Sequence, residues 1–122
     1  MKALFWLYLF NATLLIVHEI DSAYWKEWEL FGMKGGIGSF VLTHIPLVFI
    51  ILWGVVQMHL GTSAGLILSL IMGVAGIGGF SIHTYFIKKG RPEFNTPVSR
   101  LILAIILPVS LTQAVTAAYL LL

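Results

Sequence analysis

The chain has 122 residues, of which 59% are hydrophobic and only 10% are charged, whereas a soluble domain carries about a quarter charged residues. Because a short chain has a high surface-to-volume ratio, this one cannot hide so much apolar surface from water. We therefore expect a lipid bilayer to solvate it. The lack of cysteine excludes disulfides, thiolate metal ligands and c-type haem attachment. The net charge is +2, and no run of basic residues suggests nucleic-acid binding.

Four stretches have the roughly 20 mostly apolar residues that a transmembrane helix needs. They cover residues 3–23, 37–58, 64–87 and 98–121. The connections between them are short, so consecutive helices are expected to be antiparallel neighbours. The predicted fold class is therefore all-α, with residues 1–122 forming one transmembrane domain, an integral membrane four-helix up-down bundle.

The first apolar stretch also resembles a signal peptide, because Lys2 precedes it as a basic residue precedes a hydrophobic region. However, the stretch ends in His18, Glu19 and Asp21, and no Ala-x-Ala-like cleavage site follows it. We therefore expect this stretch to be retained as the first helix.

The distribution of basic residues predicts an orientation, because lysine and arginine are retained on the cytoplasmic side of a membrane. The side that holds both termini carries only Lys2, whereas the opposite side carries six basic residues. These six are Lys26, Lys34, Lys88, Lys89, Arg91 and Arg100. We therefore expect a multi-pass protein of the cytoplasmic (inner) membrane with both termini outside, and we expect the charged segment 26–29 to be solvated at the cytoplasmic interface.

Polar residues of the first helix form a stripe. At about 100° per residue, His18, Ser22 and Asn11 point in similar directions, with Asp21 slightly to one side. Glu19 points about 100° away from His18 by the same geometry. Ionisable groups at the centre of a membrane helix cost roughly 2.5–3.5 kcal/mol, so such residues usually face a bundle interior or a cavity.

The third helix has a face of small and polar residues. This face consists of Gly65, Ser69, Gly73, Gly76 and His83. Small residues spaced by four allow helices to approach closely in a membrane, so this face is expected to pack inside the bundle and to carry His83 with it. On the fourth helix, Gln113 lies at a depth comparable to that of Asn11, which predicts a structural hydrogen bond between them.

Three histidines and one carboxylate are predicted at similar depth on the cytoplasmic side. His18, Asp21, His44 and His83 lie about 5–12 Å from the cytoplasmic ends of their helices, at 1.5 Å rise per residue. Together they would complete a tetrahedral zinc shell, whereas two histidines and one carboxylate would leave open positions, as in non-haem iron sites. The sequence therefore predicts a site for Zn or Fe, with hydrolytic or oxidative chemistry on a lipid-like substrate as one use. Glu19 and Ser22 are expected to extend this polar site.

Two alternatives to a metal site stay open at this point. The histidines of an accessory or structural subunit would be neutral and hydrogen-bonded across helices, and the glycine face would bind another subunit of a larger membrane complex. A proton or ion transport component would use histidines and acidic residues as a relay. The expected partners are the lipid bilayer and either a homo-oligomer or such a complex.

The segment His18-Glu19-Ile20-Asp21, followed by the aromatic and charged residues 24–31, resembles small bacterial four-helix membrane families of unknown function. These families carry a His-x-x-acidic motif at the end of the first helix, and the segment 90–94 also resembles a family signature. Among them, the HXXEE-type family is presumed to bind metal. This sequence has Ser22 where that motif has its second acidic residue, so the resemblance implies ligand roles only for His18 and Asp21.

Overall fold

The computed structural model describes residues 1–122, and it contains helices and no strands. The helices are α1 (Lys2–Tyr24), α2 (Glu27–Leu30), α3 (Gly36–Leu60), α4 (Ser63–Lys88) and α5 (Pro97–Leu121). The four long helices are each long and apolar enough to cross a membrane, which confirms the predicted all-α membrane bundle. The single-turn helix α2 has no counterpart in the sequence prediction, because four residues are too few to show a helical period.

Local signals fix where the long helices begin and end. Thr62 precedes α4, and its Oγ1 accepts a hydrogen bond from the backbone N–H of Gly65 at 3.1 Å. Thr96 precedes α5 in the same way and accepts from the N–H of Ser99 at 3.1 Å. Gly61 ends α3 with a φ of 66°, a left-handed conformation that glycine adopts without steric cost. These caps keep the connections short, so successive helices run antiparallel.

The most extensive helix interface joins α4 to α5, along the face of small residues. A Cβ added at Gly73 would lie 2.8 Å from the Cβ of Ala114, and one added at Gly76 would overlap the hydroxyl of Ser110. Gly65 is similarly confined, with an added Cβ 2.7 Å from the backbone of Gln57 on α3. Glycine at these positions therefore allows the helix backbones to approach closely.

A buried hydrogen-bond network joins α1, α4 and α5 near the middle of the bundle. Asn11 Nδ2 donates to Gln113 Oε1 at 2.8 Å, and Ser110 Oγ donates to Asn11 Oδ1 at 3.2 Å. Gln113 Nε2 also donates to the backbone carbonyl of Ser69 at 2.9 Å. Since these side chains are completely shielded, the network supplies the partners that lipid cannot offer.

Helix α3 is the least enclosed of the four long helices, because only 11% of the residues in its most apolar stretch are buried. It contacts α1 through Tyr8, whose hydroxyl donates to the carbonyl of Ile51 at 3.0 Å. A Cβ at Gly54 would overlap this hydroxyl, so glycine is needed there. Most other side chains of α3 are exposed, which is suitable for a helix facing lipid.

The Asn11–Gln113 bond provides a test of the packing. Asn11→Leu or Gln113→Met should each lower the free energy of unfolding by about 1–3 kcal/mol, because each leaves a buried partner unpaired. The double variant should lose less than the sum of the two, since neither partner is then left alone. Reversible unfolding in detergent, followed by circular dichroism, measures these values. The exposed Thr13→Val variant serves as the control and should change little, and strictly additive losses would contradict the coupling.

Candidate metal centre

Two histidines from different helices meet inside the bundle. His18 on α1 is 4% exposed and His83 on α4 is 2% exposed. Their ring centroids lie 4.7 Å apart with the rings edge to face. Both residues lie about 8–9 Å from the ends of their helices, at 1.5 Å rise per residue, and the helices are antiparallel, so the rings reach the same depth. We call this end of the bundle, which holds α2 and the connection between α4 and α5, the site end.

Helix α2 adds a carboxylate to the histidine pair. The chain reverses after α1 at Lys26, which has a left-handed φ of 52°, and this turn directs Glu27 back toward the bundle. Glu27 Oε1 lies 3.2 Å from His83 Nε2. His18, Glu27 and His83 each offer one ligand atom, and these atoms all lie within 4.8 Å of one another.

The charge of Glu27 suits a ligand. Burial raises the pKa of this carboxyl, but His83, the nearby Ser22 hydroxyl and His18 together lower the pKa by more, so it lies below its usual value. Glu27 is therefore ionised at neutral pH. An ionised carboxylate between two imidazoles is a strong donor set for a divalent cation.

Phe94 covers the histidine pair at the site end. It lies in the connection between α4 and α5, is 1% exposed, and has its ring centroid 4.0 Å from that of His83. Its φ of 62° is left-handed, a conformation that costs a non-glycine residue of order 1–3 kcal/mol. The same connection is braced by a bidentate pair between Arg91 and Glu93, with N–O distances of 2.7 and 3.1 Å.

The structure brings together two residues of the predicted metal set, His18 and His83, and does not place the other two in the same cluster. His44 instead contacts α1, with Nε2 2.6 Å from Glu19 Oε2 and Nδ1 2.6 Å from the carbonyl of Phe40. Glu19 can meet α3 because it points away from the direction of His18. Its pairing with His44 keeps that imidazole out of the cluster.

The remaining polar residues of α1 lie beside the cluster. Asp21 is half-buried, and its Oδ2 is shielded without a hydrogen-bond partner. Ser22 is fully buried, and its hydroxyl also lacks a partner. Neither residue contributes an atom to the three-residue group.

Sequence reasoning missed Glu27, which was assigned to a solvated interfacial segment. The structure corrects this, because the Glu27 side chain is only 14% exposed. No periodic signal could have indicated it, since Glu27 follows the end of α1 and its direction depends on the left-handed turn at Lys26. Charged segments next to membrane helices usually face water, so the local pattern gave the more common interpretation.

The cluster fits a metal ion. The Nδ1 atoms of His18 and His83 are both buried without a hydrogen-bond partner, which is costly in an apolar surrounding. Two ligands of one zinc ion are separated by at most about 4.2 Å, twice a bond of about 2.1 Å. The 4.8 Å limit on the three atoms is slightly wider, so small side-chain rotations bring all three into range.

The comparisons with known proteins identify the family but no activity. A model of a family of unknown function, DUF6713, matches residues 4–120, so the chain belongs to this family. No curated protein matches the chain, and no solved structure matches it. The match confirms the resemblance to a family of unknown function and no more, so a functional conclusion rests on the geometry of the cluster.

The cover provided by Phe94 can be tested by chemical modification. In the wild type, His18 and His83 should resist diethyl pyrocarbonate, because both are buried beneath that ring. Phe94→Ala should raise their modification rates several-fold, measured by mass spectrometry, whereas Phe94→Leu should retain most of the protection. The exposed His59 should react equally in all three proteins. Unchanged protection in Phe94→Ala would contradict the covering role.

Proposed function

We propose that this member of the DUF6713 family is a membrane metalloprotein that binds one transition-metal ion, zinc or iron, through His18, Glu27 and His83. The observation that carries the proposal is the convergence of two buried imidazoles and one ionised carboxylate within 4.8 Å. The three residues come from α1, α2 and α4, so the fold itself, and no single sequence motif, builds the ligand set.

Simple packing explains the histidines less well than metal binding does. A histidine that only bridges helices would have its ring nitrogens hydrogen-bonded, because unpaired polar atoms are costly away from water. Here His18 Nδ1 and His83 Nδ1 have no partner. By contrast, Asn11 and Gln113 in the same bundle are fully paired. Of the six buried side-chain atoms without a partner, five belong to the site end, and the sixth is the hydroxyl of Ser69 on α4.

The ligand set also supports chemistry at the metal. Three protein ligands, two histidines and a carboxylate, are typical of catalytic zinc sites and leave one position for water or substrate. The same set with further open positions is typical of non-haem iron oxygenases. A bound ion would supply an activated water or bind dioxygen there. Phe94 shields this end of the site, which would limit access from the aqueous side.

We also propose that the site end faces the cytoplasm in an inner membrane, with both termini on the opposite side. Six of the seven lysine and arginine residues belong to the site end by their position in the chain. Because basic residues are retained in the cytoplasm during insertion, this asymmetry supports the orientation.

Metal analysis of protein purified without a polyhistidine tag tests the proposal. The wild type should contain about one metal ion per chain, as expected for one three-ligand site. His18→Ala, His83→Ala and Glu27→Gln should lower the affinity by more than about 100-fold, beyond the 10–100-fold effect of outer residues. Glu27→Gln is the sharpest variant, because it keeps the shape and removes the charge.

The controls separate the cluster from its neighbours. Asp21→Asn and His44→Gln should keep the metal with at most about a 100-fold loss of affinity, since neither residue has an atom in the cluster. His59→Ala, at the opposite end of α3, should have no effect. Substoichiometric metal in the wild type, or a metal content unchanged by Glu27→Gln, would refute the assignment.

A further inference from the structure

A narrow cavity leads from the metal ligands toward the middle of the bundle. It has a volume of about 160 Å³ and lies between α1, α3 and α4. His18, Glu27 and His83 line one end, and Met72 lies at the other. His83 and Met72 are separated by about 16 Å along α4, at 1.5 Å rise per residue. A volume this small holds part of one alkyl chain and excludes a pair of chains, so the remainder of a long chain would lie outside it.

The cavity opens sideways into the bilayer. Leu47 on α3 and Ala75 and Ile82 on α4 line it, and all three are exposed. No residue of α5 contributes to the lining. The opening therefore lies between α3 and α4 at the depth of lipid chains, and a ligand can enter from the membrane without crossing water.

The neighbouring pair of Glu19 and His44 carries no net charge. The carbonyl of Phe40 can only accept, so His44 Nδ1 bears a proton. The short contact between His44 Nε2 and Glu19 Oε2 then holds one further proton. With that proton on nitrogen the pair is an imidazolium and a carboxylate, and with it on oxygen both groups are neutral. The sum is zero in either case.

The coordination group at the polar end of the cavity has a charge of one sign to compensate. A divalent ion bound to Glu27 and two neutral imidazoles has a net charge of +1, and the pair of Glu19 and His44 adds none. Asp21 lies beside the cluster, but it neither belongs to the ligand set nor lines the cavity. One carboxylate from a ligand would occupy an open metal position and bring the charge of the coordination group to zero.

We propose that the cavity binds one long-chain fatty acid, with its carboxylate at the metal ligands and its alkyl chain between α3 and α4. This inference rests on the proposed metal site and adds the class of molecule that the site takes. An alkyl chain can enter the cavity from the bilayer through the lateral opening. The positive charge of the coordination group favours a single anionic oxygen group at the polar end.

Two adjacent glycines allow a matched test. Gly79 lines the cavity, whereas Gly78 does not line it. A Cβ added at either position meets no atom within 4 Å, so both substitutions should fold. Gly79→Leu places a side chain in the cavity, and Gly78→Leu adds the same side chain next to it.

The probe is palmitic acid carrying a diazirine on its chain, added to metal-loaded protein in nanodiscs and activated by light. Labelled residues are located by mass spectrometry, and the metal content of each sample is measured in parallel. Labelling should occur on the cavity-lining segments of α3 and α4. Gly79→Leu should lower it by at least about fivefold, which corresponds to about 1 kcal/mol, and Gly78→Leu should leave it unchanged. Both variants should retain their metal.

Each other outcome identifies which proposal fails. Metal-loaded protein with equal labelling in Gly79→Leu and Gly78→Leu would overturn the fatty-acid site and leave the metal site standing. A metal-free wild type with labelling that still depends on Gly79 would overturn the metal site and the role of its charge in binding the carboxylate. A parallel arm uses phosphatidylcholine with a diazirine in one chain, and equally strong labelling by that probe would overturn the assignment to a free acid.

Discussion

A bilayer offers no hydrogen bonds, so every polar group in its interior depends on a partner within the protein. In the middle of this bundle Asn11, Ser110 and Gln113 meet the requirement by bonding to one another and to the backbone. Glycines allow this network to form by letting α4 and α5 approach closely. The network and the glycines together join α1, α4 and α5 in the interior.

The site end departs from this rule. Buried nitrogens of His18 and His83, and buried oxygens of Asp21 and Ser22, are left without partners. The two non-glycine residues with left-handed backbone, Lys26 and Phe94, both lie at this end. Strained backbone and unpaired polar groups each cost free energy, and both tend to occur where function requires them. Their coincidence distinguishes this end from the rest of the interior, where the Ser69 hydroxyl alone lacks a partner.

Helix α3 packs against α4 and α1 along one side and leaves the rest of its surface exposed, and this arrangement gives the cluster access to lipid. The pairs Tyr8–Ile51 and Glu19–His44 tie α3 to α1, while most of its surface remains exposed. Space consequently remains between α3 and α4 that leads from the bilayer to the histidines. The site is thus covered at the site end by Phe94 and open to the membrane between α3 and α4.

The sequence alone determined the four membrane helices, because apolar runs of sufficient length have few other stable solutions. It also predicted the meeting of His18 with His83, since helix periodicity and depth along antiparallel helices are regular and can be calculated. Tertiary structure decided the rest of the site. Glu27 reaches the cluster through a left-handed turn at Lys26, which no helical or strand periodicity in the sequence indicates. His44 pairs with Glu19 because α3 packs against α1. Contacts across irregular connections depend on the packing of the whole chain, which local spacing does not encode.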